Sequence, residues 1–362
     1  MKKTCLHSIH IDLGALMAPF AGFDMPISYE GIEAEHRAVR SNVGVFDVSH
    51  MGEVLVTGDQ ATLFVNYIFS GDVSKLPAGS CQYGMMLNDN GGVVDDLLVY
   101  KRDEFEYFLV INASNIDKDF DWIKKHAAKY DVTVDNQSDL WSELAIQGPK
   151  AEKMIEKALK IDGSDLAFYT FKDLKTNDGR RMILSRTGYT GEDGFELYAP
   201  HDVIVDAWNK LMKEGAAPCG LGCRDTLRFE AGLPLYGDEL TDEITPIEAG
   251  LGMFAKLDKD HFIGRDALIA QKAEGPKKKV VGLEVEGRAI PRHGYDVLNA
   301  EGEKVGEITT GYHSITLDRN LAMALVDAKY AALDTPLQVQ VRKKVFPAKV
   351  IKKRFYTPNY KK

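Results

Sequence analysis

The last quarter of the chain is the part with the least freedom. From Gly275-Pro276 onward come six short runs, VVGLEVEG, YDVLN, KVGEITTG, ALVDA, LQVQVR and FPAKVIKK, separated by turns such as Asn299-Ala300-Glu301-Gly302. Short strands at this spacing are the pattern of a small antiparallel barrel. A boundary near residue 275 follows, with residues 276–362 expected as a C-terminal β-barrel domain. The chain has 362 residues, too many for one hydrophobic core, so the rest must supply one or two further domains.

Upstream the texture differs. Helical patterns are predicted over 29–41 (YEGIEAEHRAVRS), 116–130, 150–159 and 203–213, and strands over 52–57, 93–100, 105–112, 144–147, 182–185 and 194–199. Asn88-Asp89-Asn90-Gly91-Gly92 lies between two strand patterns and supplies residues that tolerate positive φ, so it marks a turn. Helices and strands alternate without a βαβ rhythm, and an α+β fold is expected.

Charge and hydropathy exclude several classes. Mean hydropathy is −0.23, and no apolar run is long enough to cross a bilayer. Lys2 and Lys3 open the chain, but His7, His10 and Asp12 interrupt the stretch a signal peptide would need. A cytoplasmic protein with no membrane partner is expected. Cys5, Cys81, Cys219 and Cys223 are scattered, and the four-residue step from Cys219 to Cys223 is not that of a zinc knuckle, so reduced structural thiols are expected. Net charge is −9. It is uneven: residues 276–362 carry 17 basic against 9 acidic side chains, and the preceding part 28 against 45. The acidic body argues against a nucleic-acid partner, and the basic end hints at a partner surface.

No GxxxxGK[ST], GxSxG or HExxH is present. Gly250-Leu251-Gly252-Met253-Phe254-Ala255 meets a loose dinucleotide pattern, but a poor strand precedes it and no βαβ unit surrounds it. Four segments remain, dense in polar residues among apolar ones. In FDVSHMGE, Asp47, Ser49 and His50 stand too close in sequence for triad geometry. In NGGVVDDLLVY, strand alternation places Asp95 with Val93, Leu97 and Val99, and Asp96 with Val94, Leu98 and Tyr100. Each carboxylate then sits among apolar neighbours, where it must pair with a cation, cap a turn or face a ligand. In SRTGYTGEDGFELY a strand leads through a glycine-rich turn into a second strand, with Phe195 and Leu197 on one face and Glu196 on the other. In GLGCRDTLRFEAGLPLYG, Arg224, Asp225, Arg228 and Glu230 read as an ion-pair ladder along one short helix.

Taken together with TPIEAGLG, these segments in this order resemble the T-protein family of the glycine cleavage system, the aminomethyltransferases, and the resemblance runs from end to end. Cys223 stands where that family commonly has alanine, and Met253 where an aromatic is frequent. The resemblance implies a three-domain cloverleaf: a folate-binding region over 1–275, made of two mixed α/β domains with an inserted ferredoxin-like subdomain at about 52–140, and then the barrel. It implies transfer of the methylene carbon of an aminomethyl group, carried on the lipoyl arm of an H-protein, to tetrahydrofolate as co-substrate. The products are 5,10-methylenetetrahydrofolate, ammonia and the dihydrolipoyl carrier. By the same resemblance Asp96 is the catalytic carboxylate. Met51, Tyr83, Tyr100, Asn112, Tyr189, Glu196, Arg224 and Tyr360 bind or line the folate site. No metal, flavin or nicotinamide is implied.

The chemistry of these residues suits such roles. One carboxylate, Glu196, can accept the amine and ring N–H that a pterin presents side by side. Arg224 can reach a pterin carbonyl or a glutamyl carboxylate. Aromatic walls suit a flat ring. Two other readings share the scaffold: a folate-dependent demethylase of a small methylated substrate, often fused to a flavin domain not seen here, and a non-catalytic folate-binding factor. The paired aspartates and the intact glycine-rich turn argue against the latter.

Overall fold

The computed structural model describes residues 1–360. A six-stranded sheet has the order Phe171–Lys175, Arg181–Ser185, Gly194–Ala199, Ser142–Gln147, Gly44–Asp47, Ala217–Pro218, antiparallel except for the last pair. Every residue of Ser142–Gln147 and Gly194–Ala199 is buried, because both faces of this sheet are covered. Leu144, Ile146, Phe195 and Leu197 point to one side, where helices Ala151–Leu159 and His201–Lys213 supply Ile155, Ile204 and Trp208. Alternation therefore sends Glu143, Glu196 and Tyr198 to the other side.

A five-stranded antiparallel sheet lies there, ordered Ser80–Leu87, Val93–Lys101, Glu106–Ile111, Gly52–Thr57, Thr133–Asn136. Leaving aside its edge strand Ser80–Leu87, this is the strand order of a β-α-β-β-α-β ferredoxin-like unit. Helices Ala61–Ile68 and Ile116–Ala127 cover its outer face over Val54, Val56, Val99 and Leu109. Its inner face meets the first sheet through Tyr100, Phe108, Val110, Trp141, Phe171, Ile183 and Tyr198. The two sheets thus share one apolar seam.

The barrel is closed, in the order Lys278–Val285, Arg319–Asp327, Lys304–Ser314, Asp296–Leu298, Pro336–Val341, Lys344–Ile351, with the last strand pairing back to the first. All six expected runs are strands of it. Helix Leu221–Glu230 joins it to the rest. Buried Arg228 bonds Asp225 and Glu239 and reaches Thr310 of the barrel at 3.1 Å. Glu230 accepts from Ser314 Oγ and the Thr316 N–H, and pairs with Arg40 and His36. Of the expected ladder along this helix only the Asp225–Arg228 rung forms; the other ties leave the helix in different directions.

The helix expected over 29–41 begins only at Ile32. Gly31 sits at φ +117, and Glu35 Oε1 accepts the N–H groups of Tyr29 (2.6 Å) and Gly31 (3.1 Å), which fixes those residues outside the helix. The helix expected over 116–130 stops at Ala127 and closes in a turn, with the Tyr130 N–H on the Ala127 carbonyl. Strand Ser80–Leu87 escapes an alternation search because Cys81, Met86 and Met85 enter three different cores.

Candidate active site

The seam between the sheets brings the sequence-predicted polar residues together. On strand Val93–Lys101 the two aspartates face opposite ways. Asp96 receives Tyr83 O–H at 2.8 Å and Asn112 Nδ2 at 2.9 Å. Burial, with the Asp95 charge added, pushes its carboxyl up to about 7. Asp95 is wholly buried on the helix-covered face and accepts from Asn112 N, Asn112 Nδ2 and Asn115 Nδ2 at 2.9, 2.9 and 2.7 Å. It faces away from Asp96 yet holds the asparagine that touches Asp96.

Glu196 stands on the first sheet within a closed ring of hydrogen bonds. Thr187 Oγ1 donates to its Oε2 at 2.5 Å and bonds Ser185 at 2.6 Å; Ser185 meets Tyr100 O–H at 3.1 Å, Tyr100 meets Tyr198 at 3.1 Å, and Tyr198 returns to Glu196 at 3.5 Å. Oε1 of Glu196 takes no donor among the described residues. Burial raises its proton affinity, opposed by Thr187 and by the cation of Arg224. That guanidinium stacks 4.5 Å over the Tyr189 ring and has no carboxylate partner among the described residues. It is left available for an acidic or carbonyl group.

The glycine-rich turn makes this possible. A side chain at Gly188 would come within 2.0 Å of Gln147 Oε1, and Gly191 takes φ +81, so both positions require glycine. The turn anchors Tyr189, whose hydroxyl donates to the Pro234 carbonyl. It also anchors the end of the chain: Asn359 N–H bonds the Gly191 carbonyl at 2.8 Å, Tyr356 O–H bonds Glu192 at 2.6 Å, and Arg40 lies 4.0 Å over the Tyr356 ring. Tyr360 thereby stacks on Phe168 at 4.2 Å. Tyr169, beside it, is held at φ +64, a costly conformation for an aromatic residue. Tyr169 packs edge-on to Phe168 at 4.5 Å and against the apolar seam, which brings the stacked Tyr360 beside that seam. Tyr83 packs edge-on to Phe254 at 5.0 Å. Met51 lies between the seam core and the core beneath helix Leu221–Glu230, and lines a recess of about 250 Å³ with Ser49, Ile116 and Trp141.

Sequence reasoning missed several groups. Ser185, Thr187 and Tyr198 were inside quoted motifs, and Tyr198 follows Glu196 by the two-residue step that shares a face. Glu53 and Glu143 are buried toward the seam; among the described residues neither oxygen of Glu53 nor Oε2 of Glu143 finds a donor, and burial raises both well above the usual range. His50, held down to about 4 by burial and by Arg224, leaves Nδ1 without a partner among the described residues. No triad forms: Asp47 accepts from Thr4, His10 and the Ser49 N–H, while His50 faces Phe20. Cys219, Cys223 and Glu35 bring ligand atoms within 4.8 Å of one another, but the Glu35 oxygens already accept three backbone N–H groups. The glycine run 250–255 forms a short 3-10 turn at Gly252–Phe254 rather than a nucleotide loop.

Comparison with known proteins gives a consistent result. The family model described as GCVT N-terminal domain matches residues 6–259, and the glycine cleavage T-protein C-terminal barrel domain matches 278–357. An aminomethyltransferase of Caldanaerobacter subterraneus is 50% identical over 366 residues, covering 100% of this chain and 98% of the relative. One of Alkaliphilus oremlandii is 50% identical, covering 100% and 99%. The crystal structure of glycine cleavage system aminomethyltransferase T from Bartonella henselae superposes with a TM-score of 0.94 at 32% identity, over 100% of this chain and 99% of that one.

Proposed function

The chain belongs to the glycine cleavage T-protein family and is an aminomethyltransferase, and from this we propose that its cleft binds tetrahydrofolate and accepts an aminomethyl group from the lipoyl arm of an H-protein. The observation that carries the reading is a pair of differently poised carboxylates on the two sides of one seam. Glu196 keeps Oε1 free and has its other oxygen fixed by Thr187. That suits it to accept two adjacent N–H groups of a pterin. Arg224 has no competing anion among the described residues, and Tyr83, Tyr189 and Tyr360 supply flat apolar surface, while Tyr100, wholly buried in the seam core, backs Glu196 through the hydrogen-bonded ring. These residues fit a reduced folate, whose amines supply the nucleophile for the methylene carbon.

Asp96 is the reacting carboxylate. Tyr83 and Asn112 fix both of its oxygens before any ligand arrives, so no reorganisation is required when positive charge develops on the aminomethyl carbon as ammonia departs. The balance is aminomethyl carrier plus tetrahydrofolate, giving dihydrolipoyl carrier, 5,10-methylenetetrahydrofolate and ammonia. The basic surface of the barrel end receives the carrier. Among the described residues no helix is long and apolar enough to cross a membrane, and the unpaired thiols support a reducing, cytoplasmic setting.

The test is formation of methylenetetrahydrofolate from aminomethyl-loaded H-protein, with Asp96→Asn beside wild type and tetrahydrofolate affinity measured on both. Turnover is expected to fall by about 100-fold or more in the variant with affinity kept. A folded Asp96→Asn enzyme at the wild-type rate rules the assignment out. The demethylase reading predicts instead a turnover that needs a methylated amine and no carrier.

A further inference from the structure

One arginine outside the cleft fastens two segments that reach it. Arg40 lies in the last turn of helix Ile32–Ser41, and its side chain is nine-tenths buried between two carboxylates, Glu192 at 3.1 Å and Glu230 at 3.2 Å. Nη1 also donates to the Thr190 carbonyl at 2.6 Å, in the glycine-rich turn, and Nη2 to the Leu227 carbonyl at 3.3 Å. The guanidinium face lies 4.0 Å over the Tyr356 ring. A planar fork with free faces can serve all of these partners at once. Tyr356 is where the chain leaves the barrel for the cleft. Its hydroxyl donates to Glu192 at 2.6 Å, and its N–H and that of Phe355 donate to the Glu230 carbonyl at 2.6 and 3.1 Å. Asn359 N–H then reaches the Gly191 carbonyl at 2.8 Å, and Tyr360 stacks on Phe168. The tail is thus bonded to Glu192, Glu230 and Gly191. Arg40 pairs with the first two and bonds the residue before the third.

We infer that Arg40 is a positioning residue of the folate site: it clasps residues 355–360 to the glycine-rich turn and so holds Tyr360, and Tyr189 through its neighbour Thr190, at the cleft. Glu230 does not depend on this clasp, since His36, Ser314 and the Thr316 N–H also hold it. Glu192 does. Without the guanidinium its buried carboxylate keeps the Tyr356 hydroxyl as its side-chain donor, and Tyr356 loses the cation that lies on its ring. The loss therefore falls on the tail. Asp96 lies on the other sheet, tied by Tyr83 and Asn112, neither of which Arg40 touches. The clasp accordingly acts on folate binding and leaves the chemical step alone.

The inference rests on the folate reading of the cleft, and the experiment separates the two. Arg40→Met keeps the length of the side chain and removes its charge and donors. Tyr356→Leu removes the stacked ring and the hydroxyl and leaves Arg40 paired with both carboxylates. Each is expected to raise KM and the calorimetric Kd for tetrahydrofolate about 10-fold, with kcat at saturating folate and KM for the carrier within about two-fold of wild type. A role in folding alone would lower the amount of active enzyme, and with it kcat, and leave KM in place. In the unliganded protein, hydrogen exchange at the amides of Phe355, Tyr356 and Asn359 is expected to quicken in both variants, while the barrel strands stay as protected as in wild type. Unchanged exchange in the tail of both variants overturns the clasp. Quickened exchange with an unchanged Kd overturns its part in the folate site, as does a loss confined to kcat. If Arg40→Met does not fold, Tyr356→Leu decides. The exchange is read without ligand, so a wild-type protein that binds no tetrahydrofolate would refute the folate reading and leave the clasp standing.

Discussion

Replacing Glu196 by glutamine probes the binding half of the cleft. In the native arrangement Oε2 is occupied by the Thr187 hydroxyl at 2.5 Å, and Oε1 takes no donor among the described residues. A carboxylate can therefore receive Thr187 and still offer acceptors to two ligand N–H groups. An amide has one oxygen. If that oxygen stays with Thr187, its NH₂ confronts the ligand's donors; if it turns to the ligand, the Thr187 hydroxyl faces an NH₂ and loses its acceptor. Either way one buried donor goes unpaired and one charge-assisted bond is lost. The sum is about 2–4 kcal/mol, or about 30- to 1,000-fold in Kd for tetrahydrofolate. Calorimetric titration under reducing conditions measures it, with the unfolding midpoint of the unliganded variant as the control for folding. An unchanged dissociation constant refutes the pterin contact.

Other outcomes follow from the same geometry. Because Asp96 has its proton affinity raised to about 7, kcat/KM is expected to rise with pH through neutrality and level off above it, and a flat profile contradicts the need for the ionised form. The sign for stability is opposite: a carboxyl raised on folding destabilises the native state as pH climbs from the unfolded value through 7, so Asp96→Asn should gain on wild type in alkaline denaturation. Arg228→Met leaves buried Glu239 without its ion-pair partner and is expected to cost about 3–5 kcal/mol in denaturant unfolding; a loss under 1 kcal/mol argues against the tie to the barrel. The basic cluster 352–354 is smaller than its sequence suggests, because Lys353 is half-buried with its ammonium on the Ala249 carbonyl. Replacing only the exposed Lys352 and Arg354 by glutamine is expected to raise the apparent KM for the carrier and flatten its salt dependence, with free aminomethyl-lipoamide processed as before. Carrier kinetics that match wild type at every ionic strength discard this docking surface.

Periodicity revealed those elements in which each face meets a single core. Strands Gly52–Thr57 and Gly194–Ala199 and the runs of the barrel could be read directly, since alternation there reflects local burial. Strand Ser80–Leu87 could not, because its apolar residues answer to several cores at once. The candidate residues Asp96, Glu196 and Arg224 were marked as unusual by polar density alone, but their roles came with the family resemblance. The ties around them were hidden for a physical reason. Hydroxyls such as Ser185 and Thr187 are common in strands, and an arginine in a last helical turn, as Arg40 is, reads as a complement to the helix dipole. Likewise Arg228 and Glu230 look like neighbours on one helix, yet two residues' separation turns one toward Glu239 and the other toward Arg40.

The ring of hydrogen bonds through Glu196 has a mechanical consequence. Tyr100 belongs to one sheet, and Ser185, Thr187, Glu196 and Tyr198 belong to the other or its turn. The ring is therefore a stitch across a joint. Whatever pries the joint open also spoils the orientation of Glu196, even at a residue far from any ligand, such as Phe171 or Trp141. Conversely, a ligand that grips Glu196 tightens the joint, and amide exchange along both strands should slow together when the cleft is filled. Affinity and domain cohesion are then one property observed from two sides.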